Sequence, residues 1–314
     1  MPTITLTVGL PGCGKTTWAV EEVRRSKSKT VNINRDDLRE SMAGSHKNYK
    51  FKDENEKYID AMQIAAADTA ANNKWNIIIS DTNLKLSIRK KWKDWAKAND
   101  YDYKEKNFFN DFVAKDTSGA DVHQYFKIKE FVKQCKDYNL LRYKSVPESV
   151  IDTMADSYLY STMPVPSIQK DSMYDFNTEY IIVDIDGTLA HRGNRNPYDE
   201  STVLEDTPDL EVIRSVLAEV NHHKRKVIIM SGRHETCAKD TRLWLHENGV
   251  PFEYLFMRSE NDNRPDDVVK YELYMKHVAP YYNVVKVYDD RQQVCTMWRK
   301  LLKLKVFQVD FGNF

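Results

Sequence analysis

Short apolar runs alternate with stretches of helical spacing along the whole chain. That alternation predicts α/β architecture, with two doubly wound parallel-sheet domains. In the first half the expected strands are 4–8, 30–33, 76–80 and 103–107. Between them, 54–73 reads as a helix with Ile59, Met62, Ala66 and Thr69 or Ala70 on one face, and 87–98 as a helix carrying Trp92 and Trp95 into the core. In the second half the expected strands are 180–184, 227–230, 253–257, 284–288 and 306–309, with helices at 209–222, 236–248, 267–278 and 292–301. A stretch rich in Pro and polar residues from Met163 to Ser172 separates the halves and predicts a linker over 163–178 between domains at 1–162 and 179–314. The segment 115–143 mixes charges and aromatics with short apolar clusters. Within it, 125–132 reads as a helix or as part of a lid, and the segment's place after the last strand of the first half suits a lid.

At 314 residues the chain has room for two cores. No apolar run approaches the ~18 residues that suggest a membrane helix, and the N-terminus runs straight into a strand rather than a signal peptide, so no membrane association and a cytosolic setting are expected. Cys13, Cys135, Cys237 and Cys295 are scattered without metal-binding spacing, which predicts free thiols. Basic and acidic residues balance at 47 each, so overall charge does not point to a polyanionic partner. Any such partner has to be argued from the sites.

The first strand runs into Gly9-Leu10-Pro11-Gly12-Cys13-Gly14-Lys15-Thr16, a phosphate-binding loop. Gly9, Gly12 and Gly14 let backbone amides converge on phosphates, Lys15 supplies charge to the β and γ positions, and Thr16 offers a hydroxyl to Mg2+. After the second strand comes Asn32-Ile33-Asn34-Arg35-Asp36-Asp37-Leu38-Arg39. A kinase needs a carboxylate there to take the proton of an acceptor hydroxyl; Asp36 is the expected base, with Asp37 as the alternative. Arg39, three residues on, is placed to hold a phosphate of the acceptor. Asp81, after the third strand, is expected either to orient Arg39 or to act as a Walker-B-like carboxylate.

In the second half Asp184-Ile185-Asp186-Gly187-Thr188 follows a strand, with the paired carboxylates that the haloacid dehalogenase superfamily uses: Asp184 as nucleophile, Asp186 as acid and then base. Ser231 offers a hydroxyl to the transferring phosphoryl group. Lys270 offers a neutralising charge, and Asp289 and Asp290 join Asp184 and Asp186 as ligands for Mg2+.

Over nearly its full length the chain resembles the polynucleotide kinase/phosphatase family of T-even bacteriophages, in Gly9 to Thr17, Asn32 to Arg39, Ser80 to Leu84 and the second-half set. The resemblance implies that Gly9, Gly12, Cys13, Gly14, Lys15, Thr16 and Thr17 hold ATP, with Arg142 as the lid arginine on the donor phosphates. It implies Asp36 as base toward a polynucleotide 5'-hydroxyl, Arg39 on the acceptor phosphate with Asp81 in support, and Arg195, Arg233 and Asp266 as further phosphatase residues. The activities implied are ATP-dependent phosphorylation of 5'-hydroxyl ends and removal of 3'-phosphates, or of 2',3'-cyclic phosphates, from RNA or DNA. A ligase acting downstream, a tetramer and RNA repair in the cytosol of a phage-infected bacterium are implied with them. Two other readings are a nucleoside kinase fused to a nucleotidase, and a protein that binds nucleic-acid ends with one domain catalytically dead.

Overall fold

Ile77, Ile78 and Ile79 are buried one after another, as are Ile181, Ile182 and Val183. Side chains of a strand point alternately to its two faces, so runs of this kind belong to sheets covered on both sides. The computed structural model describes residues 1–115, 123–193, 195–196 and 199–312, and the chain divides into two units, Met1–Met163 and Pro164–Phe314.

In the first unit the elements are β1 (Thr3–Val8), α1 (Lys15–Arg25), β2 (Thr30–Ile33), α2 (Arg35–Ala43), α3 (Asp53–Asn72), β3 (Asn76–Ile79), α4 (Leu86–Ala98), β4 (Asp102–Asn107), α5 (Phe108–Ala114), α6 (Gln124–Leu140) and α7 (Glu148–Tyr158). The sheet is parallel, in the order β2-β3-β1-β4, with Ile4 opposite Ile77 and Tyr103. Ile4, Leu6, Ile77, Ile79, Trp92 and Ala96 share one core cluster. Trp95 is half-buried at the cluster's edge, its indole donating to Asp68 at 2.8 Å. The buried stripe of α3 is Ile59, Gln63, Ala67 and Ala70, one position round from the expected Met62 and Ala66. A polar Gln63 on that stripe hides it from a hydropathy reading, and its burial has a reason given below. The expected lid segment is helical in α6, which buries Tyr125, Ile128, Phe131, Val132 and Cys135; residues 116–122 lie outside the described residues.

The second unit holds β5 (Asp175–Val183), β6 (Ala190–His191), β7 (Thr207–Pro208), α8 (Leu210–Asn221), β8 (Lys226–His234), α9 (Ala238–Glu247), β9 (Tyr254–Arg258), α10 (Asp266–His277), β10 (Tyr282–Arg291), α11 (Gln292–Lys300) and β11 (Val306–Gly312). Its main sheet, β11-β10-β5-β8-β9, is also parallel. Strand β5 starts at Asp175, inside the segment expected to be linker; its first five residues are half-buried or exposed and only Phe176 among them is apolar, so hydropathy marks the strand only from Tyr180. Strands β8 and β10 run past their apolar stretches, so Ser231, Arg233, Asp289 and Asp290 project from strand ends rather than from following loops.

All four cysteines are free. Among the described residues no helix is long and apolar enough to cross a membrane.

Two candidate active sites

In the first unit the turn from β1 into α1 is left-handed at Gly12 (φ 85°) and Gly14 (φ 95°), conformations that side chains with a Cβ rarely adopt. A Cβ on Gly12 would also stand 2.0 Å from the carbonyl oxygen of Cys135 on α6. Helix α1 begins at Lys15, so its free amides and positive dipole end face the loop. The Lys15 ammonium is nearly buried and donates to the Leu10 carbonyl at 2.6 Å. Gly12, Gly14, Lys15, Thr16, Thr17 and Arg142 line a cleft of about 1400 Å³. Gly9 and Cys13 stand behind it: the Gly9 amide donates to the Thr82 carbonyl at 3.1 Å, and a Cβ on Gly9 would meet the Cys13 sulfur at 2.6 Å. Burial pushes the Cys13 thiol up, although Lys15 pulls the other way.

Asp36 and Arg39 line the same cleft. Asn34 caps α2, accepting from the Asp36 amide at 2.8 Å while its own amide group donates to the carbonyl and hydroxyl of Ser80, each at 2.9 Å. The start of α2 is thereby tied to the end of β3. Asp81 strengthens the tie, accepting from the Arg35 amide at 2.9 Å and from the buried Gln63 at 2.6 Å. It therefore holds the helix start and does not orient Arg39, as one of the two sequence expectations had it. Burial raises its carboxyl above the usual range.

Arg39 is oriented by Glu56, which sequence reading missed. The Arg39 guanidinium donates to Glu56 from Nε at 3.0 Å and from Nη2 at 2.7 Å, and to Asp36 from Nη1 at 2.7 Å. Glu56 also accepts from Tyr49 at 2.8 Å and from Arg35 at 2.7 Å, and Arg35 pairs further with Asp60. These bonds, that from Arg39 foremost, hold the Glu56 carboxyl down at about 2. Arg39 is correspondingly raised: burial opposes its charge, but Glu56 and Asp36 outweigh it. Asp37 turns elsewhere and pairs with Lys144 at 3.2 Å.

In the second unit, Lys270 is completely buried between carboxylates, 2.9 Å from Asp184, 3.0 Å from Asp289 and 3.9 Å from Asp266. Burial works against its charge, yet the surrounding acids raise its pKa well above the usual lysine value. Burial pushes the Asp184 carboxyl well up, and the neighbouring acids Asp289, Asp290 and Asp266 add to the push against the pull of Lys270. Oxygens of Asp184, Asp289 and Asp290 lie within 4.8 Å of one another, a hard-oxygen donor set that suits Mg2+. Close packing supports the fit: Gly187 (φ 81°) leaves room where a Cβ would lie 2.2 Å from an Asp290 oxygen.

The Asp186 carboxylate stands outside that donor set, a departure from the sequence expectation. Both of its oxygens accept from Arg233 at 2.8 Å, and Arg195 donates at 3.3 Å. Burial opposes ionisation, but these arginines hold the Asp186 carboxyl below its ordinary value. Both arginines are gripped in turn by the buried Asp206, at 2.9 and 2.8 Å for Arg195 and 2.6 Å for Arg233. The Trp244 indole donates to the Asp206 carbonyl at 2.8 Å, so the core holds the site. Ser231 is fully buried, and its hydroxyl accepts from the Arg233 amide at 3.2 Å. Asp266 lines a cleft of about 830 Å³ together with Asp184, Asp186, Arg195, Arg233 and Asp290. Arg258, a second residue the sequence did not single out, donates to Asp266 at 2.9 Å and to the Gly232 carbonyl at 2.7 Å. Neither Asp206 nor Arg258 lies in a recognisable motif; Arg258 closes the apolar run 254–257, and Asp206 stands among polar neighbours with no signal of its own.

Residues 178–314 match the family described as the polynucleotide kinase PNKP phosphatase domain, and residues 4–159 match an AAA domain family. The chain is 27% identical, over 96% of its length, to a protein of Autographa californica nuclear polyhedrosis virus named putative bifunctional polynucleotide kinase/RNA ligase. It spans 42% of that relative's length. Chains in two structures of the Pnkp1/Rnl/Hen1 complex, one described as an RNA repair complex, share 28% identity and are covered to 97% and 98%, with all of this chain aligned and a TM-score of 0.44.

Proposed function

We propose that this chain, with a phosphatase domain of the polynucleotide kinase type behind an AAA-type nucleotide-binding domain, heals nucleic-acid ends: it phosphorylates 5'-hydroxyls and removes 3'-phosphates. The observation that carries the reading is the Asp184–Lys270–Asp289–Asp290 cluster within a segment matched to that phosphatase family, on one chain with a phosphate loop facing Asp36 and Arg39.

In the first cleft the loop amides, Lys15, Thr16 and Arg142 hold the phosphates of ATP, and the Thr16 hydroxyl would hold Mg2+, which would neutralise charge there. Asp36 takes the proton of the 5'-hydroxyl as the hydroxyl oxygen bonds to the γ-phosphorus of ATP and the bond from that phosphorus to the departing ADP breaks, while Arg39, steadied by Glu56, holds an acceptor phosphate. In the second cleft Asp184 bonds to the phosphorus of the 3'-phosphate as the bond from that phosphorus to the sugar oxygen breaks; Asp186, freed to take up a proton when Arg195 and Arg233 turn to the phosphate, gives that proton to the departing sugar oxygen. Water then releases inorganic phosphate from Asp184, with Asp186 taking the water's proton. Asp184, Asp289 and Asp290 would hold Mg2+, which would supply positive charge beside the phosphate. Lys270 favours the ionised form of Asp184 and aims it, and Arg195 and Arg233 grip the phosphate oxygens. The products are ends a ligase can join, and the name of the viral relative favours RNA as the strand repaired.

An oligonucleotide with a 5'-hydroxyl and a 3'-phosphate, incubated with ATP and Mg2+, tests both halves at once. Lys15→Ala is expected to abolish only 5'-phosphorylation, and Asp184→Ala only 3'-phosphate release. Wild-type protein that leaves both ends untouched yet acts on free nucleosides or nucleotides would replace this reading with a small-molecule kinase fused to a nucleotidase.

A further inference from the structure

Phe51 leaves 68% of its surface exposed, in the segment that leads into α3, and it lines the first cleft on the side of Asp36 and Arg39. An exposed phenylalanine adds little to stability through burial, yet this ring is held in place. Its edge meets the ring of the buried Tyr49, with centroids 5.1 Å apart and planes at 84°. The Arg39 guanidinium carbon stands 5.2 Å from its centroid, within the range of a cation–π contact. The Tyr49 hydroxyl is bonded to Glu56, and Glu56 holds Arg39. One set of contacts therefore fixes both the guanidinium that would meet an acceptor phosphate and an aromatic ring open to the cleft.

We propose that Phe51 is the stacking platform for the base of the acceptor strand's 5'-terminal nucleotide, binding the strand end on the side of the cleft lined by Asp36 and Arg39. The proposal rests on the end-healing reading and adds to it the part of the substrate that the site recognises. Every base has an apolar face, so a phenyl platform accepts all four bases and suits a protein that must act on ends of any sequence. It also accounts for a ring kept rigid beside Arg39 without being drawn into the core.

The test is steady-state 5'-phosphorylation of two oligonucleotides, one with a normal 5'-terminal nucleotide and one abasic at that position, by wild type, Phe51→Ala and Phe51→Trp. Base–aromatic stacking predicts that Phe51→Ala raises KM for the normal oligonucleotide about 5- to 150-fold, with kcat little changed. The abasic oligonucleotide should be used equally by wild type and Phe51→Ala, Phe51→Trp should restore the normal KM, and KM for ATP should not move. An unchanged KM in Phe51→Ala, an equal loss on the abasic strand, or a rise confined to ATP would overturn the assignment. Wild type that phosphorylates neither oligonucleotide would instead overturn the end-healing reading, and this one with it.

Discussion

Glu56→Ala isolates what orients the acceptor arginine. Arg39 makes three side-chain bonds to carboxylates, two of them to Glu56 and the third to Asp36. Charge-assisted bonds of this kind are each worth about 1.5–3 kcal/mol, and the Arg39 side chain is only 14% exposed, so solvent does little to replace them. Losing both leaves a guanidinium tethered at one corner and frees Tyr49 and Arg35 from their shared acceptor. About 2–4 kcal/mol of transition-state positioning should disappear, a fall of about 30- to 1000-fold in kcat/KM for the 5'-hydroxyl strand. Glu56→Gln keeps the shape and one acceptor oxygen and should fall between. Because Arg39 holds the Glu56 carboxyl at about 2, the ion pair persists at every practical assay pH, and the acid limb of the kinase pH profile should not follow this residue. Initial rates of 5'-phosphorylation and 3'-phosphate release, taken on one preparation, give the result with its own control. A Glu56→Ala protein with unchanged phosphatase and kinase kcat/KM within about threefold of wild type would refute the reasoning, since that difference is below one such bond.

Three further expectations concern the second unit. Asp206→Asn weakens the grip on Arg195 and Arg233 and should lower phosphatase kcat/KM by about 10- to 100-fold while leaving the kinase rate alone. Gly187→Ala places a Cβ against Asp290 at a left-handed φ and should raise the Mg2+ concentration needed for 3'-phosphate release, with no shift in the Mg2+ dependence of the kinase; an unaltered Mg2+ titration would count against the three-carboxylate donor set. Glu219 is buried, which opposes its charge, yet Lys286, Tyr288 and Arg225 hold its carboxyl at about 2, below the usual 4.5. A depressed carboxyl contributes stability above its unfolded value and loses it as pH falls toward the folded value, so the contribution, on the order of 3 kcal/mol, should be complete at pH 7 and fade between about 4.5 and 2. Denaturation of full-length Glu219→Gln against wild type should show a gap at neutral pH that narrows on acidification.

Much of both candidate sites is legible along the chain because the phosphate-loop and paired-carboxylate motifs sit within a few residues of a strand end. Gly12, Gly14 and Lys15 need only one turn, and Asp184 and Asp186 only one strand terminus; local spacing and hydropathy are enough to find them. The groups that orient these residues come from far away in sequence. Glu56 reaches Arg39 across 17 positions, Gln63 reaches Asp81 across 18, and Asp206 reaches Arg233 across 27. Arg258, Gln63 and Asp206 look like ordinary polar residues until packing buries them beside a partner.

The sequence by itself determined two parallel α/β sheets, the order of their strands along the chain, and the motifs whose residues line the two clefts, because each depends on short-range periodicity or on a pattern a few residues long. Only the tertiary structure decided that Glu56 rather than Asp81 holds Arg39, that the Asp186 carboxylate is taken up by two arginines instead of joining the carboxylate cluster, and that Phe51 faces the first cleft. Those outcomes turn on which of several buried charges lie close enough to pair. Burial makes an unpaired charge costly, so the fold selects partners by proximity in space, for which separation along the chain gives no signal.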